Sequence, residues 1–309
     1  YKRQVIRLDS RLDAIVPIDA YIEKIADGFM FTEGPLWIRA ESRLLFSDVR
    51  GNTIYQWSEG DGSSDFLDPV FDGDRTGLAM ISSNGLTLDS EGRVVICEHG
   101  NRVVSRLESA GTRTTLVDSY EGKRLNSPND AVYGSDGSLY FTDPSYGLEG
   151  NDASPLRELD FNGIFRLNPD GELQLLSRNQ SRPNGIALSP DETILYSANS
   201  DPDAKVWMAY DLSPEGASNA RVFYDVTDQT TGGLPDGMKV DTQGNVFGTG
   251  PGGVWVFTPD GTHLGTIMPD EVPANVGWGD DGHTLYMTAQ TGIYRIRLTT
   301  SGQIPGPTS

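Results

Sequence analysis

Six residues that can offer an oxygen recur along the 309-residue chain at the same phase of a repeated pattern: Glu33, Asn84, Asn129, Asn184, Asp236 and Asn275. Taken singly, an Asn-Gly or Asp-Gly pair marks a tight turn. Turn chemistry gives no reason for an acid or amide in every unit, so the set reads as side chains brought to one place. Carboxylates and amides gathered away from water are costly unless paired. A divalent cation offsets that cost, and the combined charge of Glu33 and Asp236 matches it. Oxygen donors without histidine or cysteine select a hard ion, and this mixture suits calcium better than octahedral magnesium or zinc.

The elements that must position these residues are legible as an internal repeat. Ser83-Asn84-Gly85-Leu86, Pro128-Asn129-Asp130-Ala131, Pro183-Asn184-Gly185-Ile186 and Pro235-Asp236-Gly237-Met238 each open a unit, followed by a polar turn and an apolar run such as Val94-Val95-Ile96 or Leu139-Tyr140-Phe141. From Asn84 to Gly92, Asn129 to Gly137 and Asp236 to Gly244 the interval is eight residues each time. Two weaker copies, at Thr32-Glu33-Gly34 and Ala274-Asn275-Val276, bring the count to six. Third strands such as Gly163-Ile164-Phe165-Arg166-Leu167 and fourth strands such as Glu172-Leu173-Gln174-Leu175-Leu176 follow in most units.

Six units of four short strands predict an all-β, six-bladed β-propeller with four-stranded antiparallel blades around a central channel. A parallel solenoid is the alternative, disfavoured by units this long. We expect one domain over 1–309: an extension over 1–32 that closes the last blade, repeats over 33–298 and a tail over 299–309. Ala20-Tyr21-Ile22-Glu23-Lys24-Ile25 is the expected closing strand, because the sixth unit stops after its third. The first dozen residues and Pro305-Gly306-Pro307 are expected to be loosely ordered.

In such a ring the innermost strands line the axis, and the second strands run back to the same face. Their ends, among them Asp48, Glu98-His99, Asp143 and Asn199, are expected to form a wider polar belt that grips a small molecule. The expected substrate contacts are Asn84, Glu98, His99, Asn129, Asp143 and Tyr146. His263 and His283 lie in turn-like contexts, and His99 has no Ser or Cys pattern beside it, which disfavours a hydrolase triad.

Composition narrows the partners. With 24 basic against 44 acidic residues the formal charge is −20, a field that repels nucleic acid and anionic membranes. No stretch approaches a membrane span, and no phosphate loop or dinucleotide fingerprint occurs. Cys97 is the only cysteine, so neither an internal disulfide nor a thiolate cluster can form. We expect a monomer or dimer. A cytoplasmic location is favoured, or a periplasmic or secreted one if a leader preceded Tyr1.

Glu33-Gly34-Pro35, Asn126-Ser127-Pro128-Asn129-Asp130, Phe141-Thr142-Asp143-Pro144, Pro183-Asn184-Gly185 and Pro235-Asp236-Gly237-Met238 together resemble the gluconolactonase and regucalcin-like (senescence marker protein) family, from about Glu33 to Leu298. The resemblance implies a six-bladed propeller and divalent-metal-dependent hydrolysis of a sugar lactone, with calcium the expected ion and magnesium, manganese or zinc as substitutes in vitro. It implies Glu33, Asn184 and Asp236 as metal ligands, Asn129 as a fourth ligand or a substrate contact, and Asp236 as the catalytic acid and base. Animal members carry arginine where this chain has Ser127, so the sugar contacts differ. Asn84 and Asn129 are expected to steady the carbonyl oxygen or sugar hydroxyls. A cation weakens a carboxylate as a base, so Asp236 acting mainly as ligand is the alternative. Phosphotriester or aryl ester hydrolysis on the same fold, and a propeller that only binds, are the rival readings.

Overall fold

The computed structural model describes residues 3–307 and resolves the repeat into six antiparallel blades. The innermost strands are Thr32–Ile38, Ser83–Leu88, Ala131–Tyr133, Pro183–Leu188, Met238–Val240 and Pro273–Gly279, numbered here as blades 1 to 6. Each pairs with the strand that follows it in sequence, and the sheet grows outward in chain order. The fold is a six-bladed β-propeller.

Apolar side chains hold the blades together by packing between neighbours. Leu36, Leu45 and Ile54 of blade 1 meet Leu86, Leu88 and Ile96 of blade 2 in one cluster. Ala187, Tyr196 and Trp207 of blade 4 meet Met238, Trp255 and Phe257 of blade 5 in another. Alternation along a strand sends successive side chains to opposite faces, and here both faces are covered, so inner and middle strands such as Ser83–Leu88 and Leu139–Asp143 are buried along their whole length.

The chain start is built into the ring twice. Glu23–Asp27 is the outermost strand of blade 6, paired with Gly292–Arg297. Gln4–Arg7 adds a fifth strand to blade 5 against His263–Met268, and a short 3-10 helix, Ser10–Ala14, links the two segments. The looseness expected for the first dozen residues is therefore corrected over the described part: Leu12 and Val16 are fully buried in the cluster shared by blades 5, 6 and 1. A strand there satisfies the edge that blade 5 would otherwise expose. Tyr1 and Lys2 lie outside the described residues, as do Thr308 and Ser309. The tail is corrected in the same sense, since Ile304 is buried and Arg39 donates to the Pro307 carbonyl.

At the axis the inner strands press on one another so closely that a side chain has no room. A Cβ added to Gly34 would meet the Asn84 carbonyl oxygen at 2.1 Å, one on Gly185 the Asp236 carbonyl oxygen at 2.3 Å, and one on Gly237 the Asn275 side chain at 1.9 Å. Glycine after the axial residue thus serves close approach of neighbouring blades, and the Asn-Gly pairs are not hairpin turns. Second-strand hydroxyls clamp the same seam: Ser47 donates to the Asn84 carbonyl at 2.8 Å, Thr142 to that of Asn184 at 2.6 Å and Thr249 to that of Ala274 at 2.8 Å. Gly185→Ala is expected to lower stability by about 2–4 kcal/mol through enforced separation of blades 4 and 5. Urea unfolding at wild-type stability would contradict the steric account.

Candidate functional site

The six axial residues come together around the axis, five of them tied by side-chain hydrogen bonds into two runs. Asn84 Nδ2 donates to Asn129 Oδ1 at 2.9 Å, and Asn129 Nδ2 donates to Asn184 Oδ1. Asn184 Nδ2 donates to the Ser200 hydroxyl at 2.9 Å, which passes the chain to the Pro235 carbonyl. On the other side Asn275 Nδ2 donates to Glu33 Oε2 at 3.0 Å, which joins blade 6 to blade 1. Asn275 uses its own amide oxygen on the Val276 N–H at 2.8 Å, which makes it a positioning residue for Glu33.

Glu33, Asn84, Asn129, Asn184 and Asn275 are all buried, whereas Asp236 keeps partial exposure. Asp236 is thus the member of the ring that faces the remaining opening. Burial lifts the Glu33 carboxyl to about 7; the bond from Asn275 opposes this and the nearby Asp130 charge adds to it. Asp236 is also raised well above the usual carboxylate range, by burial first and then by the charges of Glu33 and Asp130. Two acids that resist ionising side by side mark a place where positive charge is missing.

The donor set fits a hard cation. Asp236 Oδ1 and Asn84 Oδ1 are buried without a hydrogen-bond partner, and a carbonyl oxygen that accepts one hydrogen bond, as in Asn129 and Asn184, retains a second lone pair. Among the described residues no three acidic, imidazole or thiolate groups converge as a ready-made metal cluster, so an ion here draws on two carboxylates and on amide oxygens. That composition favours calcium-type coordination over zinc.

Above the ring lies a cap that the sequence did not disclose. The loops over 69–82 and 144–162 are stitched by the Ala79 N–H to the Gly147 carbonyl and the Glu149 N–H to the Gly77 carbonyl, both at 2.9 Å, with Leu148 fully buried between them. The cap carries Tyr146, whose buried hydroxyl lies beside Asp236, Ser200 and Asn184 without a hydrogen-bond partner. His99 lies beside Asn129 with both ring nitrogens unpartnered, and burial lowers it to about 4, so the imidazole is neutral at neutral pH. Tyr146, His99, Asp236 and Asn84 all present orphaned polar atoms to the space around the ring, as a site awaiting a polar ligand does.

His99 apart, the second-strand ends expected to form a gripping belt spend their side chains within their own blades and loops. Glu98 accepts from Ser105, Asn101 and Arg113 within blade 2, the Arg113 bond at 2.8 Å, and so is spent on a buried ion pair rather than turned to the ring. Asp143 accepts the Asn126 N–H at 2.7 Å and the Ser127 N–H at 2.8 Å, which fixes the turn that delivers Asn129. Asp48 does the same for the Met30 and Phe31 N–H groups, and Asn199 for that of Arg182. These side chains anchor the loops entering the inner strands. Burial raises Asp143 to about 7 against the pull of the two backbone bonds. Sequence reading also missed Ser200, Asp130 and Lys239, although Asp130 breaks the glycine pattern after the axial residue and could have been noticed.

A family model described as the SMP-30/gluconolactonase/LRE-like region matches residues 31–291. The chain belongs to this family. A gluconolactonase from Zymomonas mobilis is 39% identical, the match covering 97% of this chain and 87% of that protein. A pentonolactonase of Haloferax volcanii is 28% identical over 84% of this chain and 81% of its own. The solved structure of a gluconolactonase from Xanthomonas campestris superposes with a TM-score of 0.84 at 32% identity, covering 95% of this chain and 94% of that one. Among the described residues no helix is long and apolar enough to cross a membrane.

If Asp143 anchors the Asn129 turn, Asp143→Ala leaves two buried N–H groups unsatisfied and costs about 2–4 kcal/mol of stability. Chemical denaturation of the variant that matched wild type would return Asp143 to the list of substrate contacts.

Proposed function

We propose that this chain hydrolyses a sugar lactone in the space between the axial ring and the cap, with a divalent cation, calcium first, held by Glu33, Asn129, Asn184 and Asp236. The observation that supports it best is the pairing of two mutually repelling carboxylates, Glu33 buried and Asp236 partly exposed, with unpartnered amide and carboxylate oxygens at the axis. The match to lactonases over most of both chains supports the same substrate class.

Bound there, a dication supplies the positive charge that keeps Glu33 and Asp236 ionised and draws electron density from the lactone carbonyl. Asp236, the partly exposed member of the ring, takes a proton from water as that water's oxygen bonds to the carbonyl carbon. As the ring C–O bond breaks, the same carboxylic acid returns its proton to the departing oxygen, and the product is the open hydroxy acid. Tyr146 offers its hydroxyl to the substrate or to Asp236, and neutral His99 hydrogen-bonds a sugar hydroxyl beside Asn129. Asn275 and Asp143 do no chemistry; they hold Glu33 and Asn129 in place.

Asp236→Asn is expected to lower kcat on an aldonolactone by about a thousandfold or more with an unchanged melting curve. Turnover near the wild-type rate would remove Asp236 from the proton transfers. Chelator should abolish turnover of lactones and calcium restore it; a panel that includes phosphotriesters and aryl esters fixes the substrate class. Full activity in excess chelator would exclude the cation.

A further inference from the structure

We infer that Lys239 is a built-in counter-cation of the axis, which balances the third carboxylate, Asp130, and thereby holds down the affinity of the ring for its dication. The inference rests on the cation reading above and adds a residue to it. In blades 1, 2, 4 and 5 the residue after the axial position is glycine, but in blade 3 it is Asp130. Its carboxylate fills the gap that Gly85 leaves, Oδ1 lying 2.6 Å from where a Gly85 Cβ would stand. Asp130 is buried; Oδ1 accepts the Ala131 N–H at 2.9 Å, and Oδ2 has no hydrogen-bond partner. The Asp130 charge acts on both Glu33 and Asp236, so a third carboxylate bears on the axis without converging with them as a ligand cluster.

One dication leaves such a set one positive charge short of neutrality. Lys239 supplies it. This lysine lies on the inner strand of blade 5, three residues after Asp236, and its ammonium is 3.8 Å from Asp130 Oδ2, on the far side of blade 4. The ammonium donates to the Met238 carbonyl at 3.0 Å and its charge also favours the Glu33 carboxylate. At 3.8 Å the pair is a charge contact rather than a hydrogen bond, so it neutralises Asp130 without saturating it. A cation at the ring therefore meets two opposing fields, attraction from Asp130 and repulsion from Lys239.

The test is a double-mutant cycle on the full chain, read by calcium titration calorimetry and, separately, by melting in chelator. Calcium should bind Lys239→Met about tenfold or more tightly than wild type and Asp130→Asn about tenfold more weakly, with the double variant within about threefold of wild type. In chelator Lys239→Met should melt about 5 °C or more lower and the double variant should recover most of that loss. A Lys239→Met that fails to fold alone but folds with Asp130→Asn supports the inference equally. If wild type binds no calcium while the melting cycle holds, the cation reading fails and the Lys239–Asp130 coupling stands. Unchanged affinity in Lys239→Met together with additive melting shifts overturns the inference.

Discussion

Glu33 and Asp236 are carboxylates that the fold largely withdraws from water and sets within reach of each other's charge, and the rest of the structure has to sustain that unfavourable arrangement. Left alone it would cost more than a single apolar contact returns. The fold sustains it through inter-blade leucines, tyrosines and tryptophans, through hydroxyl clamps on the inner carbonyls, and through glycines that let the inner strands meet. Stability is spread around the ring while the unfavourable charge is concentrated at its centre.

The hydrogen-bond chain through Asn84, Asn129, Asn184 and Ser200 runs in one direction. Each amide is oriented by its neighbour, so the oxygens left over are placed by the whole ring and not by any one residue. A single amide replaced in such a chain disturbs those on both sides, and effects at the axis will not add.

Much of this was legible beforehand. The repeat, the blade number and the axial residues follow from periodicity, because every unit obeys the same local rules and copies reinforce one another. The fifth strand at Gln4–Arg7 was not legible: its partner is more than 250 residues away, and a four-residue run carries no periodic signal. The second-strand ends misled for a different reason. Glu98 and Asp143 are polar and stand on the right face, but strand direction does not say whether a side chain turns to the axis or to its own loop; Arg113 and the Asn126 and Ser127 N–H groups decide that. Tyr146 and His99 owe their place to two long loops whose mutual packing no short motif encodes.

The two segments near the chain start are edge strands on the two blades that are completed last. Synthesis runs from the amino-terminal side, so Gln4–Arg7 and Glu23–Asp27 emerge from the ribosome long before any partner exists and must wait, unpaired and partly apolar, for more than 250 further residues to follow. Such distant pairings slow folding. The latch that makes the finished disc durable is thus also the segment most exposed to misassociation while the protein is being made.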